Sequence, residues 1–384
     1  MTRTVTHKAG WVMVDPDRWV ENGTVEVTDG RVTAVGHARA YDVDHGAGVI
    51  LPALVNAHAH VSLSALAGKI ATDQGFVPWV RELIAARETL TVEQVAKAAA
   101  SSAMEAKASG TGLIAEVGSL EPGRSALHAA GLEGVIFAEV LGSTGELPSL
   151  PEDVDGLSFS YAGHGLHTTD PDLLRGLKAG AAQRHRPFSI HLAESEAETE
   201  FLATGDGVWA ELLRSRGLDF RLWDLGNERP VPRAKRLGLL GPGTLAVHVL
   251  DATGSELQTL ARTGTSVCLC PRSNLALHGR LPDIGAFVAA GMAPALGTDS
   301  LASAPSLSLF DEMAFVTAHY PDLSPEAILA LAGRNGAQAL GRTDLGTLDP
   351  GMRARCVYAE ISAKSARDAA AALVSSGPIT LEWL

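Results

Sequence analysis

Short apolar runs alternate with longer segments of helical periodicity along most of the chain. Eight such runs stand out: VILPALVNA, GLIAEVG, GVIFAEVLG, GLSFSYAG, PFSIHLAE, TLAVHVLD, TSVCLCP and APALGTD. Each run except the last is followed by a helical pattern, and a further helix or pair of helices is predicted over residues 307–340. Strands that alternate with helices in this way are typical of a (β/α)8 barrel with parallel strands. The competing fold, an open doubly wound sheet, requires a glycine-rich turn after the first strand, and the sequence has none there.

Both ends of the chain show a different pattern, in which apolar and polar residues alternate over short stretches. The stretch TVEVTDGRVTAVG contains Asp29-Gly30, a strong signal for a tight hairpin turn. Near the C-terminus, LGTLDPGMRARCVYAEI indicates further strands and turns. We therefore predict an α/β fold with a TIM-like barrel over residues 51–344 and a small β-sandwich built from residues 1–50 and 345–384.

The composition narrows the partners that the protein is expected to have. With 44 Asp and Glu against 31 Lys and Arg, the formal net charge is −13, which argues against a nucleic-acid partner. No uninterrupted apolar stretch of about 18 residues is present, so no membrane partner is expected. The N-terminus lacks the apolar region of a secretory signal, which favours the cytoplasm. The three cysteines do not resemble a disulfide framework, and Cys268 and Cys270 are interpreted as apolar strand residues, with zinc ligation as the weaker alternative.

Polar side chains with metal-binding chemistry follow several of the predicted strands. Catalytic residues of a (β/α)8 barrel lie at the C-terminal ends of its strands. Five of the eight strands end in a histidine or a carboxylate: His58 and His60 on the first, His164 on the fourth, His191 and Glu194 on the fifth, His248 on the sixth, and Asp299 on the eighth. A His-x-His pair alone is a weak motif, but its repetition at strand ends on one rim predicts a metal site.

Histidine nitrogens together with one carboxylate suit Zn²⁺ or Fe²⁺ in a hydrolytic site that leaves a position open for water. His58, His60, His191 and Asp299 would supply three nitrogens and one oxygen, and such a metal makes hydroxide available near neutral pH. Asp299 is a candidate to take the proton of the water. His248 is expected to hydrogen-bond the hydroxide, with ligation as the alternative. Glu194 is placed to deliver a proton to a ring nitrogen and a leaving group, or else to stabilise the first turn of the following helix.

The ordered segments VNAHAH, IHLAES, LAVH, CPRSN and LGTDS, spread over residues 55–300, resemble the amidohydrolase superfamily. The resemblance is to its metal-dependent aminohydrolases, which include adenosine-type, S-adenosylhomocysteine, guanine and aminodeoxyfutalosine deaminases and the triazine chlorohydrolases. It implies one divalent metal on His58, His60, His191 and Asp299, with Glu194 and His248 in proton transfer and hydroxide positioning. It also implies a small heterocyclic substrate and allows a homodimer, which is common in this group.

Two features of the sequence refine what the resemblance implies. Binuclear members use a carboxylated lysine on the fourth strand, and GLSFSYAGHG has none, so one metal ion is expected. Triazine chlorohydrolases that lack the glutamate of the H-x-x-E segment expel chloride, whereas Glu194 is present here and favours loss of ammonia. The segment GHGLHTT departs from the common His-Ala-Pro-Tyr. In it, His164 matches a substrate-contacting histidine and His167 replaces an aromatic residue.

The loop after His60 is expected to form part of the substrate pocket. Phe76 and Trp79 are candidates to stack on a flat heterocycle, although packing within its own helix is the alternative for Trp79. Arg81, Arg87 and Arg272 are candidates to bind an anionic group. Of these, Arg272 is the best placed because it immediately follows the seventh strand, and surface salt bridges are the default interpretation of the other two.

The leading expectation for the substrate is a 6-aminopurine nucleoside such as aminodeoxyfutalosine, which carries an adenine and a benzoate and would place the protein in menaquinone synthesis. Adenosine, methylthioadenosine or S-adenosylhomocysteine come next, followed by guanine- or pterin-type deamination and triazine-type dechlorination. A barrel retained as a non-catalytic scaffold is a remote alternative, because such scaffolds lose metal ligands and this sequence keeps every one.

Overall fold

The computed structural model describes residues 3–143 and 146–384. Two small sheets are built mainly from the N-terminal strands: β1 Thr4–Lys8, β2 Trp11–Asp15, β3 Arg18–Glu21, β4 Thr24–Thr28, β5 Arg31–Gly36, β6 Val43–Asp44 and β7 Val49–Pro52. The C-terminal strands β16 Cys356–Ala359 and β17 Leu381–Trp383 complete one of them. The strand orders are β5-β4-β1-β6 and β17-β16-β7-β2-β3. The predicted hairpin is confirmed, because Asp29 and Gly30 have φ angles of 48° and 76° between the paired β4 and β5.

The central sheet has eight parallel strands in sequential order: β8 Leu54–Ala59, β9 Thr111–Gly118, β10 Glu133–Val140, β11 Leu157–Gly165, β12 Phe188–Leu192, β13 Thr244–His248, β14 Ser266–Leu269 and β15 Ala295–Leu296. The sheet closes on itself beyond β15. The N–H groups of Thr298 and Asp299 donate to the carbonyl oxygen of His58 at 3.0 and 3.1 Å, and the N–H of His60 donates to that of Asp299 at 3.2 Å. The predicted barrel is therefore confirmed.

Helices surround the barrel and connect its strands: α1 Phe76–Glu88, α2 Val92–Ala108, α3 Leu120–Ala130, α4 Pro171–Gln183, α5 Glu196–Thr204, α6 Val208–Ser215, α7 Pro230–Arg236, α8 Gly254–Thr263, α9 Pro271–His278, α10 Ile284–Ala289, α11 Leu309–His319, α12 Pro325–Ala332, α13 Arg334–Ala339 and α14 Ala366–Ser375. A 3-10 helix, Val61–Leu66, follows β8. Local sequence sets their ends, as at α2, where Thr91 and Gln94 form a capping box. None of the helices in the described ranges is long and apolar enough to cross a membrane.

Close packing at the barrel seam explains one glycine near the predicted metal site. A Cβ atom on Gly297 would lie 2.7 Å from the carbonyl oxygen of His58 and 2.8 Å from the sulfur of Cys268. Only glycine therefore lets the last strand approach the first closely enough to close the barrel. This contact fixes the backbone of Asp299 relative to that of His58.

Two segments of the chain differ from the prediction made from the sequence. The apolar run VILPALVNA forms two strands, because β7 pairs with β2 and β16 in the sandwich whereas β8 begins the barrel. Residues 345–384 contain α14 as well as strands, and this helix packs against α11 and α12 on the outside of the barrel. Its buried face consists of Ala369, Ala370, Leu373 and Val374. The C-terminal segment therefore contributes to both parts of the fold.

Candidate active site

The C-terminal ends of the barrel strands bring the predicted metal ligands together. His60 Nε2 lies 3.5 Å from Asp299 Oδ1, His58 Nε2 lies 3.8 Å from the same oxygen, and His191 Nε2 lies 3.3 Å from His58 Nε2. Two ligand atoms about 2.1 Å from a cation at a tetrahedral angle would be about 3.4 Å apart. These three separations are close to that value. The donor atoms that lie within 4.8 Å of one another form two groups that share His58, namely His58, His60 and Asp299, and His58, His191 and His248.

Hydrogen bonds on the far side of two rings orient their donor atoms. The Nδ1–H of His60 donates to the carbonyl oxygen of Val117 at 2.7 Å, and that of His191 donates to the carbonyl oxygen of His164 at 2.8 Å. Each bond places the ring proton on Nδ1 and leaves the Nε2 lone pair facing the cluster, as metal-binding histidines require. The donor set thus fits a divalent metal ion in chemistry as well as in spacing.

Asp299 is held by the loop and helix around it. Its backbone has a φ angle of 59°, an uncommon conformation for a residue other than glycine. Its Oδ2 accepts hydrogen bonds from Ser273 Oγ at 2.5 Å and Ser303 Oγ at 3.0 Å, which leaves Oδ1 to face the histidines. Burial alone would raise the pKa of this carboxyl, but His60, His248 and the Ser273 hydroxyl lower it overall. Asp299 is therefore ionised, and its Oδ1 faces the histidines.

Glu194 lies opposite this donor set, buried between two histidines. Its Oε1 is 3.3 Å from His278 Nε2 and 3.7 Å from His248 Nε2. Burial would raise the pKa of Glu194, yet the two histidines hold it well below the usual range of a glutamate. The N-cap of α5 is Ser195, whose hydroxyl accepts from the N–H of Glu198 at 3.2 Å. Glu194 is therefore directed into the site and does not cap the helix.

The hydrogen bonds of His248 bear on its two predicted roles. The side-chain amide of Asn274 donates from Nδ2 to His248 Nδ1 at 3.1 Å. Nδ1 is thus an acceptor, so the ring proton is on Nε2 and points towards Glu194. Burial lowers the pKa of His248 to about 4, which keeps the ring neutral near pH 7. This arrangement suits His248 as a hydrogen-bond donor. A ring nitrogen of His248 also lies within 4.8 Å of those of His58 and His191, so its distance also permits ligation of the same cation.

A cavity of about 510 Å³ opens above these residues. His164, Phe76 and Trp79 line it, as the sequence predicts. Trp79 is also held in place, because its Nε1–H donates to the carbonyl oxygen of Ala302 at 3.2 Å. The rest of the wall is largely apolar and is contributed by α1, α6 and α9: Val80, Leu83, Ile84, Leu212, Leu213 and Leu277. This volume is within the range of small-molecule sites.

Two predicted substrate-binding residues lie outside the cavity. His167 is fully buried behind it, with its ring 4.2 Å from that of Trp209 and its Nδ1 3.8 Å from Glu198 Oε1. Arg272 is 8% exposed, and its guanidinium contacts Glu312 Oε2 at 2.5 Å and the carbonyl oxygen of Ser306, in the segment before α11, at 2.9 Å. The structure therefore does not bring either side chain to a position from which it contacts a molecule in the cavity.

Two further residues of the site are not among the predicted ones. His278, which contacts Glu194, lies four residues after Asn274 on α9, so the two side chains share one face of the helix. This polar pair on the helix after the seventh strand is the feature of the sequence from which His278 could have been predicted. Glu139 lines the cavity near the end of β10, with Oε1 3.8 Å from His191 Nδ1. Glu139 could have been predicted as a site residue because it is a carboxylate within the otherwise apolar run GVIFAEVLG.

The sequence of residues 49–359 matches the model of the family described as "Amidohydrolase family". The chain belongs to the amidohydrolase family. Amidohydrolases are metal-dependent hydrolases, and the histidine and aspartate cluster described above fits that requirement. The resemblance stated from the sequence motifs is thereby confirmed.

Individual amidohydrolases are similar to the chain over most of its length. A 5-methylthioadenosine/S-adenosylhomocysteine deaminase of Nitratidesulfovibrio vulgaris (strain DP4) is 29% identical over 375 residues, which cover 90% of this chain and 80% of the relative. An aminodeoxyfutalosine deaminase of Deinococcus radiodurans is 30% identical over 348 residues, covering 83% of this chain and 81% of the relative. The crystal structure of Helicobacter pylori aminofutalosine deaminase in complex with methylthio-coformycin superimposes with a TM-score of 0.86 at 22% identity and covers 98% of this chain and 97% of that chain. This last likeness supports the fold.

Proposed function

We propose that this amidohydrolase is a hydrolytic deaminase of a 6-aminopurine nucleoside, with aminodeoxyfutalosine as the leading substrate. The observation that carries the proposal is the position of Glu194, buried beside His248 and His278 and opposite the histidine–aspartate donor set. Water adds to C6 of an aminopurine only when the ring nitrogen N1 gains a proton, and a carboxyl group at this point suits that delivery. The names of the two relatives, each a deaminase of an aminated purine nucleoside, support the same reaction.

The proposal includes one divalent ion, Zn²⁺ or Fe²⁺, held by Nε2 of His58, His60 and His191 and by Oδ1 of Asp299. When bound, such an ion lowers the pKa of a water molecule and so supplies a nucleophile at neutral pH. β11 has no lysine to bridge a second ion, which supports a single metal.

The side chains around the cluster account for the movement of protons. Addition of water to C6 of the purine sends one proton to N1 and the other to the amino group, and the products are the 6-oxopurine and ammonia. Glu194 accepts the first proton and donates it to N1, because it lines the cavity beside His248 and is not one of the proposed metal ligands. Asp299 takes the second proton from the new hydroxyl and passes it to the leaving amine. His248 donates through Nε2–H to the oxygen that adds to the ring.

The cavity supports a nucleoside as the substrate. Phe76 packs at a centroid distance of 4.5 Å on His278, so an aromatic wall stands next to Glu194 at the position where a purine ring must lie. His164, whose Nδ1 is 2.7 Å from Thr168 Oγ1, presents its other nitrogen as a polar contact for the substrate. A role in menaquinone synthesis, a cytoplasmic location and a homodimer stay predictions of the sequence.

The test is ammonia release by metal-loaded protein from aminodeoxyfutalosine, methylthioadenosine, S-adenosylhomocysteine, adenosine, guanine, a pterin and an aminotriazine. We expect turnover of a 6-aminopurine nucleoside to exceed that of guanine. The matched control is Glu194→Gln, which should keep its metal and lose about 10²- to 10⁴-fold in kcat. Equal or better turnover of guanine, or ammonia release that Glu194→Gln leaves unchanged, would overturn the proposal.

A further inference from the structure

Helix α1 lines the cavity along its whole length, from Phe76 to Glu88. Its first residue, Phe76, packs on His278 and thus lies beside Glu194. In its last turn, Arg87 Nη2 donates to Ser119 Oγ at 3.4 Å, one residue past the end of β9. Arg87 lies eleven residues after Phe76, which corresponds to about 16 Å along the helix axis. A molecule that follows this wall away from Glu194 therefore reaches Arg87.

The wall between these two ends is apolar. Val80, Leu83 and Ile84 of α1 line the cavity, and Leu212 and Leu213 of α6 contribute to the same lining. An aminated purine placed at Glu194 would leave this part of the cavity to a substituent of the ring. The lining suits a substituent whose middle section is apolar or aromatic.

Two arginines line the cavity in the part of the chain that the structure describes, and they differ in their partners. Arg216 is paired, because its Nη2 lies 2.8 Å from Glu88 Oε1. Arg87 has no carboxylate oxygen within 4.0 Å among residues 3–143 and 146–384, and its hydrogen bond to Ser119 is long. This leaves an available guanidinium at the cavity wall of a protein in which acidic residues outnumber basic ones, 44 to 31.

The surroundings of Arg87 favour an anion at this point. Ser119 is the N-cap of α3, so the positive end of that helix lies beside the guanidinium. Glu139, the carboxylate on the nearby wall, lies 3.8 Å from His191 and has no oxygen within 4.0 Å of Arg87. Arg87 is nevertheless close enough to help lower the pKa of Glu139, so a bound carboxylate would share the guanidinium with this residue. Arginine binds carboxylates through two parallel N–H donors, which gives direction as well as charge.

We propose that Arg87 binds a carboxylate at the far end of a substituent carried by the aminated ring. The side chains of α1 and α6 pack the apolar middle of that substituent. The protein would then select nucleosides that carry an anionic group over neutral nucleosides with the same purine. The inference rests on the proposed function, since it assumes that the aminated ring lies at Glu194.

The experiment compares aminodeoxyfutalosine with its methyl ester, using metal-loaded full-length protein. We expect Arg87→Ala to lower kcat/KM for the carboxylate about 10- to 100-fold, mainly through KM, because a hydrogen bond to a charged group is lost. In the same variant, kcat/KM for the ester should change less than about threefold. Arg87→Lys should recover part of the preference for the carboxylate. The matched control is Arg81→Ala, on the same helix. The guanidinium of Arg81 is 3.8 Å from Glu211 on the protein surface, so this substitution should leave kcat/KM unchanged for both compounds.

Direct binding separates failure of this inference from failure of the proposed reaction. Calorimetric titration of the two compounds into metal-loaded protein should show that the wild type prefers the carboxylate about tenfold or more and that Arg87→Ala does not. That result would support the anion subsite even if neither compound released ammonia. An equal loss for carboxylate and ester in Arg87→Ala, or a wild type that binds both equally, would overturn the assignment of Arg87.

Discussion

Replacement of Arg272 by methionine tests whether this residue has a structural role or binds substrate. The guanidinium contacts Glu312 Oε2 at 2.5 Å, and the backbone N–H of Arg272 donates to Glu312 Oε1 at 2.9 Å. Further bonds reach Ser306 Oγ at 3.1 Å, the carbonyl oxygen of Ser306 at 2.9 Å and that of Ser308 at 3.2 Å. Glu312 has no exposed surface, so removal of its partner leaves a buried carboxylate without a counter-charge.

The expected loss follows from that burial. Breaking a buried ion pair by removing one partner costs about 3–5 kcal/mol of unfolding free energy. With a urea m value of about 3–4 kcal/mol/M, the midpoint of unfolding should fall by about 1 M. The double variant Arg272→Met/Glu312→Leu removes both charges and should recover most of this loss. Arg221→Met is the surface control. Arg221 is 2.6 Å from Asp219 and both side chains are exposed, so this substitution should change stability by less than about 1 kcal/mol.

The stability of Arg272→Met should also depend on pH in a defined direction. Burial raises the pKa of Glu312 and Arg272 opposes that rise, so the pKa should increase further in the variant. A carboxyl whose pKa is higher in the folded than in the unfolded protein binds more protons when folded, so stability falls as pH rises above the unfolded value of about 4.3. The deficit should therefore be smaller at pH 5 than at pH 8. A loss below about 1 kcal/mol at both pH values, accompanied by a specific rise in KM, would refute the structural role.

Three other variants test the site. Asp299→Asn should lose most of its bound metal, measured by elemental analysis of protein purified without chelator, and full occupancy would contradict the ligand assignment. Ser273→Ala should weaken metal affinity about 10- to 100-fold in a chelator competition, because Oδ2 of Asp299 loses a hydrogen bond; an unchanged affinity would show that this bond does not orient the carboxylate. His278→Ala should lower kcat/KM about tenfold by loss of a bond to the charged Glu194, with the acid limb of the pH profile moved to higher pH because the pKa of Glu194 rises. The same change should add no further loss in a Glu194→Gln background, and full additivity would contradict a role through Glu194.

Strand periodicity accounts for what could be predicted from the sequence. His58 and His60 are two residues apart at the end of a strand, and parallel strands of a barrel bring their C-terminal ends to one rim. The association of His191 and Asp299 with this pair thus needs only the order of the strands. The division of VILPALVNA into β7 and β8 could not be predicted in this way, because both strands are buried and the run is apolar up to Asn56.

Helix phase accounts for the incorrect placement of Arg272. Arg272 and Asn274 are two residues apart on α9 and therefore lie about 200° apart around the helix. Asn274 faces His248, so Arg272 faces away from the site towards α11. The position of Arg272 after the seventh strand indicates closeness to the rim but not this rotation. His278 was missed for a related reason, since its contact with Glu194 depends on where α9 points relative to the fifth strand.

Helix α9 carries three side chains that have different roles in the site. Within eight residues it carries the hydroxyl that orients Asp299, the amide that sets the tautomer of His248 and the imidazole that holds Glu194. A small rotation of this helix would therefore displace Asp299, His248 and Glu194 at the same time, and would impair metal ligation, hydrogen-bond donation and proton delivery together. Changes of substrate that tilt α9 should be hard to reach by single substitutions. Helix α1 supplies much of the pocket wall and contacts α9 through Phe76 on His278, so its positions away from that contact are the freer ones for altering specificity.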